Sequence, residues 1–209
     1  APMDTAYRKC ELVVFKHRMP HKKKGKYRNA EWGKYVDDNW LTLGKTRYYK
    51  HDFANALKIF QYIENKFPLE DSYFSSIFWQ AKVLLEMQAY DESEEILLNL
   101  LVKYDEQEKN LKKPKKITFK EKINLLLNYD DRIEYLSSVD KKIPEEIIDE
   151  IYPTLGDLYI KSKNYNKAVE YLEITLDKKY KRSFKTRLTF ILAQLYHIKG
   201  NNKASYYYQ

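Results

Sequence analysis

The chain has 209 residues and a formal net charge of +8, enough material for one domain or a short solenoid with a substantial core. A single cysteine excludes an internal disulfide framework, and no apolar run approaches the roughly 20 residues that span a membrane. Few Gly and Pro beside abundant Leu, Ile, Lys, Glu and Tyr favour helices over sheet.

In chain order, residues 3 to 19 read as an amphipathic helix, with Ala6, Cys10, Val13, Val14 and His17 forming one apolar stripe. Pro20 stops it. A basic loop, HKKKGKYR, covers 21 to 28, and Asp37 and Asp38 then suit the positive end of a new helix.

The stretch from Trp40 to Pro68 is the most ordered in pattern. Trp40, Leu43, Gly44, Ala56, Phe60 and Pro68 match the W-x2-L-G, A-x3-F and P spacing of a tetratricopeptide repeat. Gly44 and Ala56 let two antiparallel helices approach, Phe60 fills the remaining volume, and Pro68, lacking an amide, ends the second helix. Arg47 stands where the motif has Tyr, with Tyr48 and Tyr49 behind it.

Placing Ala81 where Gly44 sits, 81 − 44 = 37, gives a second unit with Tyr90, Ser93 and Leu97. Gly156 with Leu155, Tyr159, Tyr165, Ala168 and Leu172 gives a third over about 149 to 182. Ala193 with Leu192, Tyr196, Gly200 and Ser205 gives a fourth, cut short at Gln209, so the sequence reads as a fragment of a longer solenoid. Residues 104 to 142 do not fit the motif. Their charged run with Pro114 predicts a loop, and Ile123, Leu126, Leu127, Ile133 and Leu136 predict helix standing in for a degenerate repeat. Pro144 suits a helix start, whereas Pro153 predicts a kink or a split.

The expected fold is therefore all-α, a right-handed tetratricopeptide-like α-solenoid of antiparallel helix pairs with an irregular helical insert. Its expected organisation is an N-terminal helix and basic loop packed on the solenoid (1–36), repeats one and two (37–107), the insert (108–143), and repeats three and four (144–209).

Catalytic signatures are missing: no Gly-rich phosphate loop, GxSxG or CxxC occurs. His17 and His21 are split by Pro20 with no further ligand placed to complete a metal site, and Cys10 lies on an apolar stripe rather than in a reactive setting. Pairs such as Glu94 and Glu95, or Asp130 and Asp131, read as solvated helix faces. The basic stretches 16 to 28 and 109 to 122 could meet phosphate, but they belong to no recognised nucleic-acid module and read as solvated loops. The expectation is a non-enzyme with no cofactor, no metal and no small-molecule substrate.

What remains is a groove. The first helix of each unit is expected to line it with Leu41, Lys45, Tyr48 and Tyr49, then Phe78, Lys82 and Leu85, then Asp157, Ile160 and Lys161, and finally Arg187, Phe190, Gln194 and His197. Aromatic and cationic groups side by side suit a peptide or a partner helix. Packing of several of these residues against a neighbouring segment is the alternative. The Asn and Lys set that clamps a terminal carboxylate is lacking.

The blocks MDTAYRKCELVVFKHRMP, EWGKYVDDNWLTLGKTRYYKHDFANALKIFQYIENKFP and RLTFILAQLYHIKGNNKAS resemble the SprE/PorW family, tetratricopeptide lipoproteins of Bacteroidota associated with type IX protein secretion and gliding motility. The resemblance covers the N-terminal helix, the first two repeats and the last two; residues 104 to 142 depart from it. It implies an outer-membrane lipoprotein facing the periplasm, anchored by a lipidated cysteine upstream of Ala1, since no lipobox precedes Cys10. It also implies protein partners in the secretion machinery, the periplasmic ring and outer-membrane subunits. A cytosolic adaptor binding a peptide in the groove is the alternative.

Overall fold

The computed structural model describes residues 36–68, 70–110 and 142–200, together with Thr5, Arg8 to Cys10 and Leu12. Seven helices are named here: α1 (Val36–Tyr49), α2 (Phe53–Lys66), α3 (Ser72–Glu86), α4 (Tyr90–Asn110), α5 (Glu145–Lys161), α6 (Tyr165–Asp177) and α7 (Arg182–Ile198). No strand occurs among the described residues. Cys10 is helical and buried, as its place on the apolar stripe predicts. The rest of that stripe, the 21–28 loop, the 111–141 span and Ser205 lie outside the described residues.

Each helix packs on its sequence neighbour, and α3 also packs on α1, and α5 on α3. One register explains the pairing. Gly44 and Ala56, Ala81 and Ser93, and Gly156 and Ala168 are each twelve residues apart, and all six are buried. Phe60, Leu97 and Leu172 follow four residues later at 0%, 0% and 3% exposure. A Cβ on Gly44 would stand 2.5 Å from Phe60 Cε1, and one on Gly156 2.3 Å from Leu172 Cδ2, so the large side chain fills the space the small one leaves. In the second pair the Ser93 hydroxyl donates to the Ala81 carbonyl at 2.8 Å.

The turns follow the same register. His51, Gln88, Lys163 and Gly200 each come seven residues after a small residue and have φ of 59°, 64°, 61° and 64°. At the ends of α1 and α3 the amides close back on the helix in the paired pattern that a left-handed residue permits: His51 to Tyr48 and Asp52 to Arg47, then Gln88 to Leu85 and Ala89 to Leu84. Arg47 finds its role here. Its guanidinium meets the Asp52 carboxylate at 2.7 Å across the turn, and Asn55 donates to the same carboxylate.

Two expectations are corrected. The charged run expected as a loop begins as helix, since α4 continues to Asn110, and α5 packs on α3 and α4 as α3 packs on α1 and α2. The ends of the intervening segment are pinned together, with the Ile143 amide donating to buried Gln107 Oε1 at 3.0 Å and Lys142 near Glu108 at 3.6 Å. Nor does Pro153 split its helix, since α5 runs unbroken through it.

Candidate functional site

Helices α1, α3 and α5 lie side by side, and helical spacing places Lys45, Tyr48 and Tyr49, then Trp79, Lys82 and Glu86, then Asp157 and Lys161 on faces that meet. Trp79 is the floor of this strip. Its indole stacks on Phe60 at 6.0 Å and 27°, and takes the edges of Tyr48 and Tyr49 at 5.2 Å and 6.0 Å. Two ammonium groups reach the same ring: Lys82 Nζ lies 4.4 Å and Lys45 Nζ 5.2 Å from its centroid. Such contacts are favourable because the ring face carries negative charge.

Burial lowers the pKa of both lysines; nearby Lys82 lowers that of Lys45 further, while Glu150 opposes the shift in each. Beyond them the strip is neutralised internally. Glu86 Oε1 accepts from Lys161 at 2.9 Å and from the Tyr48 hydroxyl at 3.4 Å, and Lys161 also meets Asp157 at 3.1 Å. Burial and the Glu86 carboxylate push the Tyr48 hydroxyl well above the usual tyrosine range. One carboxylate thus ties α1, α3 and α5 together.

A second tie joins α4, α5 and α6. Tyr159 on α5 donates to Glu94 Oε1 on α4 at 2.6 Å, and Lys167 on α6 reaches the same oxygen at 3.0 Å. Burial alone would raise the Glu94 pKa, but these two donors outweigh it and hold the carboxyl below its ordinary range.

The residues expected to line a groove divide into three groups. Lys45, Tyr48, Tyr49, Lys82, Asp157 and Lys161 come together on the strip. Leu41, Phe78 and Leu85 do not line it: at 9%, 2% and 3% exposure they are core, and Ile160 packs against the same core. Arg187, Phe190, Gln194 and His197 are exposed on α7, which packs on α6 and is not among the neighbours of α5, so they stand apart from the strip.

Sequence reasoning missed Trp79 and Glu86 as strip residues. Their signal was the three- and four-residue spacing to Lys82 on one helix face. Among the described residues no cluster of His, Cys, Asp or Glu could hold a metal, and no helix is long and apolar enough to cross a membrane. No protein-family model matches the chain, and no curated protein matches it.

Proposed function

We propose that the chain is a non-catalytic tetratricopeptide scaffold, a right-handed solenoid whose first-helix face receives a protein partner, and that it serves type IX secretion. The observation that carries the scaffold reading is the recurrence of small residue, left-handed turn residue, small residue and large residue at offsets of 7, 12 and 16 in three successive hairpins. The secretion role rests on the resemblance of the α1–α2 and α7 sequences to the SprE/PorW family. In that role the protein faces the periplasm from the outer membrane, held by a lipid upstream of Ala1, and bridges the periplasmic ring and outer-membrane subunits.

Deleting the gene in its host tests the secretion role. Cargo carrying a C-terminal secretion signal should then accumulate inside the cell, and normal secretion would sink the proposal. The Lys45–Trp79–Lys82 cluster favours a second reading, a cytosolic adaptor for a peptide. A signal peptide and lipobox in the full-length gene would exclude it.

A further inference from the structure

Neither Lys45 nor Lys82 has a carboxylate within ion-pair distance among the described residues, although both reach one indole from adjacent helices. Glu150 on α5 is the carboxylate that acts most on both, but it stays beyond ion-pair distance of either, and the Glu86 and Asp157 that also face Lys82 are held by Lys161. Two partly buried like charges over one ring repel each other, and neither has full hydration to relieve it. Lys161, by contrast, is paired twice. The strip therefore has a positive end at Lys45 and Lys82 and a neutralised end at Glu86, Asp157 and Lys161. Tyr49 stands beside the positive end at 56% exposure, an aromatic surface open to a ligand.

We propose that the Lys45–Trp79–Lys82 cluster is the docking point for an acidic peptide segment of a partner protein, with a Glu or Asp side chain seated between the two ammonium groups and its neighbours packed on Tyr49. The assignment rests on the reading of this face as partner-binding and adds the chemistry of the partner. An internal acidic side chain fits better than a chain terminus. Capture of a terminal carboxylate uses converging amide donors, and here the donors are two flexible ammonium groups above an aromatic floor. Burial and helical spacing, rather than net charge, set the place. A carboxylate entering here gains two charge-assisted contacts and relieves the lysine–lysine repulsion.

The test uses the purified chain and a fluorescein-labelled peptide of alternating Glu and Ala with both ends capped, followed by anisotropy, beside a Gln–Ala control of equal length. The Glu peptide should bind about tenfold or more tightly than the Gln peptide, the scale of one charge-assisted contact. Lys45→Gln/Lys82→Gln should bring it down to the control, whereas Lys58→Gln/Lys103→Gln, which removes the same charge from exposed positions on α2 and α4, should not. Lys45→Arg/Lys82→Arg should retain binding. Equal loss in the two Gln double variants, or no preference for Glu over Gln, overturns the proposal. So does displacement by inorganic phosphate at the concentration of the Glu peptide itself, which would mark a simple anion site. Self-association abolished by Lys45→Gln/Lys82→Gln would make the occupant a second copy and also overturn it. Should that variant lose its helical circular dichroism, Lys45→Met and Lys82→Met decide singly, each expected to weaken binding about fivefold. Loss of secretion on gene deletion together with failure of the peptide to bind removes this inference alone. Normal secretion with tight binding removes only the secretion role.

Discussion

The hydroxyl of Tyr180 donates to the backbone carbonyl of Asp149, the carbonyl that Pro153 leaves without its helical amide. A proline four residues on has no N–H to give, so an intact helix through this point needs a donor from elsewhere. Tyr180 supplies it from the segment joining α6 to α7, and Lys178 meets the Asp149 carboxylate at 2.7 Å beside it. Burial, followed by the Asp149 and Glu150 charges, pushes the Tyr180 hydroxyl up to about 12. Tyr180→Phe should therefore cost about 1 kcal/mol in urea unfolding. In a Pro153→Ala background the backbone supplies its own donor, and the same change should cost markedly less. Equal costs in the two backgrounds would show that the hydroxyl and the proline are not coupled.

Phe78 and Tyr49 separate core from surface. At 2% exposure, Phe78→Ala should cost roughly 3–5 kcal/mol, the range for truncating a buried aromatic. Tyr49→Ala, at 56% exposure, should stay within about 0.5 kcal/mol. Thermal melts of the two variants decide. A mild Phe78→Ala would return that ring to the groove.

Glu94 makes acid stability specific. Its folded pKa lies below the ordinary value of 4.5, so its contribution is fully present above that value and is lost as the pH falls through the depressed one. The urea midpoint of the native chain should exceed that of Glu94→Gln by a constant margin above pH 4.5, and the margin should shrink below it. A margin independent of pH would place the stabilisation in packing alone.

Lys82 should be dispensable for stability. Its lowered pKa means that the protonated form is worse placed in the folded chain than in the unfolded one. That penalty is full at neutral pH, begins to shrink as the pH rises through the folded value and is gone only above the ordinary value of 10.5. Lys82→Met removes the charge and keeps a polarisable chain on Trp79, where a sulfur contact replaces much of the cation–ring attraction. Melting at neutral pH should be unchanged or higher. A fall of several degrees would show that an internal partner already satisfies this lysine.

The hairpin register was legible in the residues because small side chains are required wherever two helices touch. Gly44, Ala81 and Gly156 mark those points directly, and the residue four beyond each partner marks the filler. The face of each helix was less legible. One residue turns a side chain by about 100°, so Phe78 and Trp79 exchange core and strip on a small error in register. The expected groove line accordingly carried Leu41, Phe78 and Leu85, which belong to the core, and passed over Trp79 and Glu86.

By itself the sequence determined the all-helical class, the 37-residue period and the close-contact residues. These depend on local propensity and on residue size, which are written in the order of the residues. Only the tertiary structure decided that α5 stacks directly on α3 and α4, that the helix survives Pro153, and that Lys45 and Lys82 converge on Trp79. Each of those outcomes joins groups more than 25 residues apart, or two helices from different pairs. The deciding energies are an orphan carbonyl finding a hydroxyl and a charge finding a ring, and they exist only once the helices have packed.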